Sequence, residues 1–350
     1  MRSRFYLLFR SLVLSTLLLV LLSLSFTALA NGGLLTIAFA GDIYLGGALE
    51  PIVLKNPSYP FLHIGDLCQD NDLFFANLEG PLSTRGEIYV EKTFTFRSHP
   101  QVVQCLTEGG VNVLSLANNH IMDFGPEALI DTIITLKENS IYVAGAGLNL
   151  EQARQPALIE KKDTTIAFLA YNNTFPLEFN ATDEQPGTAP GYEYFIRQDV
   201  KKARSLADLV VVSFHWSSEL LKEHKPYQST LAKLAIDAGA HLVIGHHPHV
   251  IQGVEVYKHG LIAYSLGNFV FASRSKNVQD GLLLQVQFTP SSALHTATFY
   301  PLNINNYQVN FQPQLWTGDQ AQRVLTELQT LSAPLGTTIE IIGDCGVIKF

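Results

Sequence analysis

Short apolar runs recur along the chain, and each one is followed by polar side chains. The runs occupy residues 35–40, 72–77, 112–117, 209–214 and 241–244. Apolar residues at consecutive positions are typical of strands that are covered on both faces. Segments with helical spacing lie between them, at residues 126–139, 200–207 and 226–238, the second with Asp199 as its predicted N-cap. Strands that alternate with helices predict an α/β fold.

The side chains that follow these strands form a candidate site. In open α/β sheets, ligands bind beyond the carboxyl ends of the strands. Five strand ends carry suitable groups, namely Asp42, Glu79, Asn119, His215 and the pair His247 and His249. Each has an ordinary alternative, because the acids and the asparagine can belong to turns and the histidines can be structural. One shared site explains all five strand ends at once, so we predict that these side chains meet.

The histidines of residues 245–250, GHHPHV, are predicted to bind metal. Pro248 favours an extended backbone at His247, and residues two apart in an extended segment point to the same side. His247 and His249 would therefore converge on one metal centre, where neutral imidazole is a common ligand. His246 would point elsewhere.

Together these residues match the ligand needs of a pair of divalent ions. Such ions lie roughly 3.5–4 Å apart and share a bridging carboxylate. Glu79 would bridge the ions, and Asp42 would bind one of them. Asn119 and His215 would bind the other, with the two closing histidines divided between them.

The predicted cofactor is one or two ions of Mn, Fe, Zn or Mg. Such an ion brings the pKa of its water near neutrality. His120, next to Asn119, would act as the catalytic residue by protonating a leaving oxygen, or would hold a phosphate oxygen. Asp123 is predicted to cap the helix that follows it.

The first thirty residues predict export. Three arginines precede an apolar run at residues 11–30 that contains no acidic residue and ends in the A-x-A form of a cleavage site. An uncleaved membrane anchor through residues 5–30 is the alternative, because about 20 apolar residues can span a bilayer. Either version places the rest of the chain outside the cytoplasm, in the periplasm or at the cell surface.

Charge and cysteine content narrow the partners. Without residues 1–30 the chain has 20 basic and 31 acidic side chains, a formal charge of −11. This balance predicts that the chain does not bind nucleic acid. Cys68, Cys105 and Cys345 fit no thiolate metal motif, so buried thiols or one incidental disulfide are expected.

One main domain is predicted at residues 35–280. Residues 281–350 are predicted to complete the same fold as an edge subdomain, with strands at 282–288, 295–301 and 337–342 and a helix at 321–331. Residues 172–194 are rich in Asn, Pro, Gly and Thr, and they are either a lid over a substrate or an ordinary connection.

Six short blocks carry a resemblance to a known family. The blocks are Gly41-Asp42, residues 77–81 (NLEGP), 117–125 (ANNHIMDFG), His215-Trp216, 245–250 (GHHPHV) and 264–270 (YSLGNFV). Their series resembles that of the CapA family of capsule and poly-γ-glutamate synthesis proteins, which is related to calcineurin-like metallophosphoesterases. The resemblance covers about residues 35–275.

The resemblance implies a four-layer αββα metallophosphoesterase-like sandwich. It also implies the same roles for the site residues, namely ligands at Asp42, Asn119, His215, His247 and His249 and the adjacent histidine at His120. The chain departs from the superfamily at Tyr44, which stands in place of a histidine ligand, and at Glu79, which stands in place of the bridging aspartate. Tyrosine is a poor ligand for most of these ions, so one metal site is expected to be weaker or absent.

Two functions are consistent with these residues and this resemblance. The first is an exported metal-dependent hydrolase or transferase that acts on a phosphoester or on the γ-linked amide of an acidic polymer. The second is a non-catalytic component of an envelope synthesis or export complex that binds or guides the anionic polymer. Arg85, Lys92 and Arg97 would neutralise such a substrate, or they are solvated surface charges.

Overall fold

The structure, a computed structural model, describes residues 33–350. The predicted export signal or anchor at residues 1–30 lies outside the described residues. Within residues 33–350, no helix combines the length and the apolar character needed to cross a membrane.

Strands account for most of the regular structure in the described residues. They are β1 (Leu35–Tyr44), β2 (Leu73–Leu78), β3 (Val113–Ser115), β4 (Tyr142–Ala144), β5 (Ala146–Gly147), β6 (Ala157–Lys161), β7 (Thr164–Asn172), β8 (Gly187–Thr188), β9 (Leu209–His215), β10 (Leu242–His246), β11 (Val254–Tyr257), β12 (Gly260–Ala263), β13 (Asn268–Phe271), β14 (Asp280–Phe288), β15 (Leu294–Asn303), β16 (Gln314–Leu315), β17 (Glu340–Ile342) and β18 (Cys345–Lys349).

Helices connect many of these strands. The α-helices are α1 (Glu50–Val53), α2 (Gly65–Gln69), α3 (Val103–Glu108), α4 (Gly125–Glu138), α5 (Leu150–Ala153), α6 (Glu193–Arg204), α7 (Pro226–Ala238) and α8 (Gly318–Ser332). Short 3-10 helices lie at Tyr59–Phe61, Pro100–Val102, Leu177–Phe179 and Ala333–Leu335.

The strands form two large mixed sheets. The first has the order β17-β18-β15-β14-β1-β2-β3-β4, with β13 also paired to β1 and β16 to β15. The second has the order β11-β12-β10-β9-β7-β6. β1 to β4 are parallel in the first sheet, and β12, β10, β9 and β7 are parallel in the second. A separate ribbon pairs β5 with β8.

The two sheets pack face to face, and helices cover their outer faces. Phe75 of the first sheet stacks on Phe168 of the second, with ring centroids 5.6 Å apart, in a core to which both sheets contribute. Leu129 of α4 packs in the core outside the first sheet. Ile196 of α6 and Ala232 of α7 pack in the core outside the second. The four-layer αββα sandwich is therefore confirmed.

The inner strands are apolar at consecutive positions because both of their faces are buried. In β1, Ile37 and Phe39 face the core between the sheets, whereas Ala38 and Ala40 face the helices. Alternate side chains of a strand point to opposite faces. Each large apolar side chain buried in this way stabilises the fold by about 1.5–3 kcal/mol before the entropic cost of ordering it.

The structure corrects three details of the predicted elements. Asp199 does not cap a helix but lies inside α6, where its carboxylate accepts hydrogen bonds from Arg154 Nε and Tyr171 Oη. Because these side chains supply hydrogen bonds to the buried carboxylate, Asp199 does not need the backbone N–H groups that a helix cap would use. Several strands, among them β6, β7 and β12, are absent from the prediction, and β17 lies within the predicted strand at 337–342 but is followed by a further strand, β18.

β1 changes partners at the point where it enters the candidate site. β14 runs antiparallel to β1 as far as Phe39. Beyond this point β13 pairs with β1, and Asp42 lies beside Asn268. Asp42 N donates to Gly267 O over 3.1 Å. The switch leaves room only for glycine at position 41, because a Cβ atom there would lie 1.8 Å from Gly267 O.

Replacing Gly41 by alanine is expected to destabilise the chain by about 1–3 kcal/mol, because β13 must move away to make room. Urea unfolding measures this loss. Gly65→Ala is the matched control, since an added Cβ there meets no atom within 4 Å. An equally small effect of both substitutions would contradict this packing.

The three cysteines carry free thiols. Cys68 and Cys105 are buried, and burial raises the pKa of both thiols. Cys345 is partly exposed. The expectation of buried thiols is therefore met by Cys68 and Cys105, and the described part of the chain contains no disulfide.

His241 is expected to make stability depend on pH. Its Nδ1 accepts a hydrogen bond from Val210 N over 3.1 Å. Burial, with further contributions from Arg204 and His259, lowers the pKa of His241 to about 4. The unfolded chain takes up this proton near pH 6.5, whereas the folded chain does so only near pH 4. The contribution of His241 is therefore complete above about pH 6.5 and is lost as the pH falls toward 4.

His241→Asn keeps a hydrogen-bond acceptor but cannot take up a proton. Comparing urea unfolding at pH 7 and pH 4.5, we expect the natural chain to lose roughly 2 kcal/mol more than the variant. Equal losses in both proteins would show that His241 is not the source of the pH dependence.

Candidate metal centre

The structure brings the six predicted ligands together at one rim of the sandwich. Parallel strands deliver their carboxyl ends to one edge of each sheet. One ligand atom each from Asp42, Glu79 and His215 lies within 4.8 Å of the other two, so one ion could reach all three. The remaining predicted ligands lie next to members of this group: Asn119, His247 and His249.

Asp42 is oriented by two asparagines. Asn77 Nδ2 donates to Asp42 Oδ1 over 2.8 Å, and Asn118 Nδ2 donates to Asn77 Oδ1 over 3.1 Å. Burial alone would raise the pKa of Asp42, but His246 and His249 outweigh it and hold the pKa well below its usual range. Asp42 is therefore ionised and fixed in position, as a metal ligand should be.

Glu79 is a buried acid without hydrogen-bond partners. It is fully buried, and among residues 33–350 neither of its carboxylate oxygens has such a partner. His249 Nε2 lies 3.6 Å and His120 Nε2 lies 3.8 Å from Glu79 Oε1. Burial raises the pKa of Glu79 to about 8, although His249 opposes the shift. A bound cation would supply the missing partners.

Asn119, His215 and His247 form a neighbouring set of donor atoms. His215 Nε2 lies 2.7 Å from Asn119 Oδ1, and the rings of His215 and His247 are 4.8 Å apart. His247 Nδ1 has no hydrogen-bond partner in the described part of the chain. Burial lowers the pKa of His215 well below its usual range, and burial together with His249 lowers that of His247 to about 3. Both imidazoles are neutral, the form that binds metal ions.

His249 lies between the two acids. Its Nδ1 is 3.2 Å from Asp42 Oδ2 and 2.7 Å from Asn268 Oδ1. Burial alone would lower the pKa of His249, but Glu79 and Asp42 raise it to about 10. A cation bound here would take the place of this proton, because metal ions compete with protons for imidazole.

His246 does not point away from the site, contrary to the prediction. It is the last residue of β10 and pairs in register with His215 of β9, so both side chains leave the second sheet on the same face. His246 Nδ1 lies 3.3 Å from Asp42 Oδ1. The chain then turns, with positive φ at His247 (94°) and His249 (59°). These two side chains therefore approach each other through a sharp turn rather than through an extended segment.

His120, the predicted catalytic residue, faces Glu79 with Nε2 and Asp123 with Nδ1. Its Nδ1 lies 2.7 Å from Asp123 Oδ2, and its ring stacks on Phe96 with centroids 3.9 Å apart. Burial lowers the pKa of His120, although Asp123 opposes this. Lys92 Nζ also lies 3.0 Å from Nδ1, so Asp123 and Lys92 both hold this side of the ring while Nε2 faces the candidate centre.

Asp123 does not cap the following helix, contrary to the prediction, and α4 has no side-chain cap. Asp123 instead accepts a hydrogen bond from Phe96 N and pairs with Lys92 Nζ, each over 2.6 Å. Lys92 also donates to Asn119 O and lies 5.2 Å from the centroid of the Phe179 ring. Lys92 is therefore a largely buried cation that holds the residues after β3, rather than a solvated surface charge.

Three other residues considered from the sequence lie outside the ligand group. Arg85 pairs with Asp131, and the Arg97 guanidinium lies 3.9 Å from the centroid of the Phe124 ring. Tyr44 stacks on Phe96 with centroids 4.2 Å apart. The position at which the resemblance implied a histidine ligand is therefore part of an aromatic wall.

The donor set fits one or two divalent cations. Carboxylate, amide and imidazole groups are ligands for Mg, Mn, Fe and Zn. The atoms without hydrogen-bond partners among the described residues include both oxygens of Glu79 and Nδ1 of His247, and all three belong to this group. Buried polar atoms usually have a partner, and a bound cation would supply one to these three atoms.

Sequence reasoning missed several residues that hold this site. They are Asn77, Asn118, His246 and Asn268. A polar residue within a strand that is otherwise buried was the available signal for Asn77, His246 and Asn268, since β2, β10 and β13 are buried throughout. Asn118 adjoins a predicted ligand.

Comparison with known proteins identifies the family. Residues 36–273 match the family described as "Bacterial capsule synthesis protein PGA_cap". The chain belongs to this family. Its PGA_cap relatives include "Capsule biosynthesis protein CapA" of Bacillus anthracis, 34% identical over 278 residues, a match that covers 77% of this chain and 67% of the relative. "PGA biosynthesis protein CapA" of Bacillus subtilis (strain 168) is 31% identical over 254 residues, covering 72% and 67%. The CapA resemblance is confirmed.

A solved structure is also similar to this PGA_cap chain. It is the NAD nucleotidase NadN of Haemophilus influenzae, with 11% sequence identity and a TM-score of 0.45. The match covers 85% of this chain and 56% of the nucleotidase.

Proposed function

We propose that this chain is an exported metal-dependent hydrolase or transferase of capsule or poly-γ-glutamate synthesis, acting on a phosphoester or a γ-glutamyl amide. Membership of the PGA_cap family supports the pathway. The observation that carries the chemistry is the buried carboxylate of Glu79, which has no hydrogen-bond partner among residues 33–350. A purely structural rim would not retain such a group, because its burial is costly.

The residues at the rim divide into ligands and groups that orient them. Asp42, Glu79, Asn119, His215 and the two closing histidines would hold one or two ions of Mn, Fe, Zn or Mg. When bound, such an ion supplies Lewis acidity and a nucleophile that is available near neutral pH. Asn77 and His246 fix the orientation of the Asp42 carboxylate.

His120 would serve the leaving group. Asp123 and Lys92 hold the ring at Nδ1, so Nε2, on the side of Glu79, would take up a proton and pass it to the leaving oxygen. Phe96 stacks on the ring and excludes water from that face. Lys92 offsets the charge of the buried Asp123.

Export and polymer handling complete the proposal. The arginine-led apolar segment at residues 1–30 supports placement in the periplasm or at the cell surface, with a membrane anchor if the segment is not cleaved. The partners would be the synthesis or export machinery of an anionic polymer, consistent with the family.

Metal-dependent hydrolysis tests this function. The purified protein is stripped with a chelator, reloaded with Mn²⁺, and assayed on bis(p-nitrophenyl) phosphate and on poly-γ-glutamate. We expect activity on at least one substrate that requires the metal. His247→Ala and His249→Ala should each lower it at least about 100-fold, which corresponds to about 2.7 kcal/mol.

A matched control is His259→Ala, since His259 lies outside the site, next to His241. If the metal-loaded protein hydrolyses neither substrate but binds poly-γ-glutamate, the chain is instead a non-catalytic polymer-guiding component, and the enzymatic proposal is wrong.

A further inference from the structure

A pocket of about 380 Å³ opens beside the candidate centre. His120 and His249 line both the pocket and the centre. A substrate whose reacting group lies at Glu79 would therefore place its next chemical group in this pocket. The composition of the pocket walls then reports the nature of that group.

The wall nearest the centre is aromatic and firmly packed. Phe96 lies between the rings of Tyr44 and His120, at centroid distances of 4.2 and 3.9 Å. Phe271 contacts the ring of His249 at 5.0 Å and the edge of Phe96 at 5.8 Å. These rings hold one another in place, so the wall is formed before any ligand arrives.

Phe94 is different from the other rings in the pocket. Phe94 is 64% exposed, and its ring contacts no other ring in the described part of the chain. An exposed phenylalanine at the mouth of a pocket offers a free face for stacking. Such a face suits the face of an uncharged ring, and stacking on it would add to the binding free energy beyond the burial of area.

The charge of the pocket opposes an anionic occupant. Its described lining contains the carboxylate of Glu219 and neither lysine nor arginine. Lys92, the cation next to His120, pairs with Asp123, and Arg274, which lies between two lining residues in sequence, donates to Asn310. A carboxylate-bearing group near Glu219 would therefore meet a like charge, whereas His249 in the lining already pairs with Asp42 and Glu79.

From these observations we infer that the pocket binds an uncharged six-membered ring attached to the phosphoryl group of the substrate, with Phe94 stacking on that ring and Glu219 excluding carboxylates. The inference rests on the proposed function and narrows it, because it favours a ring-bearing phosphoester over a chain of glutamates at this position. The ring is aromatic or that of a sugar.

Binding of phosphonates to the Mn²⁺-loaded full chain tests the inference without requiring turnover. Calorimetry compares phenylphosphonate, methylphosphonate and 4-carboxyphenylphosphonate, with glucose 1-phosphate as the sugar arm. We expect phenylphosphonate or glucose 1-phosphate to bind about tenfold more tightly than methylphosphonate. Tighter binding of phenylphosphonate would identify the ring as aromatic, and tighter binding of glucose 1-phosphate would identify it as a sugar. The added carboxylate should weaken binding several-fold.

Variants assign the effect to residues. Phe94→Ala should remove most of the gain in affinity that the ring gives over methylphosphonate. Glu219→Gln should reduce the difference in affinity between phenylphosphonate and 4-carboxyphenylphosphonate. Phe350→Ala, which removes an exposed aromatic residue outside the pocket, is the matched control.

Equal affinity for methylphosphonate and the ring compounds, tighter binding of the carboxylated compound, or no binding of any of them would overturn the inference. Failure of the proposed function gives a different result. In that case the ring compounds bind with the expected order, but phenyl phosphate and bis(p-nitrophenyl) phosphate remain unhydrolysed.

Discussion

Glu79→Gln is expected to abolish metal binding while it stabilises the metal-free protein. The amide has almost the same shape as the carboxylate but no charge. Burial raises the pKa of Glu79 to about 8, so the folded metal-free chain favours the protonated acid. Its stability therefore falls as the pH rises from about 4.5 to 8. At pH 8 the glutamine variant should be more stable than the natural chain by roughly 4 kcal/mol.

Thermal unfolding at pH 8 with and without Mn²⁺ measures both effects. The natural chain should gain stability from the metal, and the variant should gain almost none. Activity should fall at least about 100-fold. Glu255→Gln is the control, because Glu255 is also buried but pairs with Lys233 and Tyr264. Stabilisation of the variant by Mn²⁺ to the same extent as the natural chain would rule out Glu79 as a ligand.

Lys92→Met is expected to destabilise the chain by about 3–5 kcal/mol. The substitution keeps most of the side-chain volume but leaves Asp123 without its cation. Asp123 is fully buried, and removal of one partner from a buried ion pair leaves an uncompensated charge. Lys92 also donates to Asn119 O, so the metal affinity should fall as well.

Urea unfolding of a double-mutant cycle tests this assignment. Lys92→Met combined with Asp123→Asn should recover a large part of the lost stability, because neither charge then remains buried. Lys258→Met removes an exposed partner of Asp237 and should cost less than about 1 kcal/mol. A loss in Lys92→Met as small as that in Lys258→Met would contradict the role of Lys92.

Much of the fold could be predicted because the sequence encodes it locally. β1 and β9 are apolar at consecutive positions, since both faces of each strand are buried. α7 begins at Pro226 and ends before Gly239, whose φ is 120°, a backbone conformation suited to glycine. The carboxyl-edge rule then placed the polar strand ends at one rim.

The local geometry of the site could not be predicted in the same way. The turn after β10 has positive φ at His247 and His249. Pro248 had instead predicted an extended backbone at His247. His246 faces Asp42 because β10 extends two residues further than its apolar pattern indicates. These features depend on packing between the two sheets, which no local pattern records.

The predicted role of Asp123 as a helix cap was wrong for a related reason. Its position before a helix resembles an N-cap, but a loop from a distant part of the chain brings Lys92 to its carboxylate. That loop has no regular spacing of apolar residues. Contacts of this kind become visible only when the tertiary structure is known.

Anomalous diffraction from a Mn²⁺-soaked crystal tests the metal centre most directly. We expect a manganese peak at the rim, within about 2.0–2.4 Å of a Glu79 carboxylate oxygen and in contact with Asn119 or His215. A fully loaded crystal without a peak at this rim, or with a peak whose ligands exclude Glu79, would contradict it.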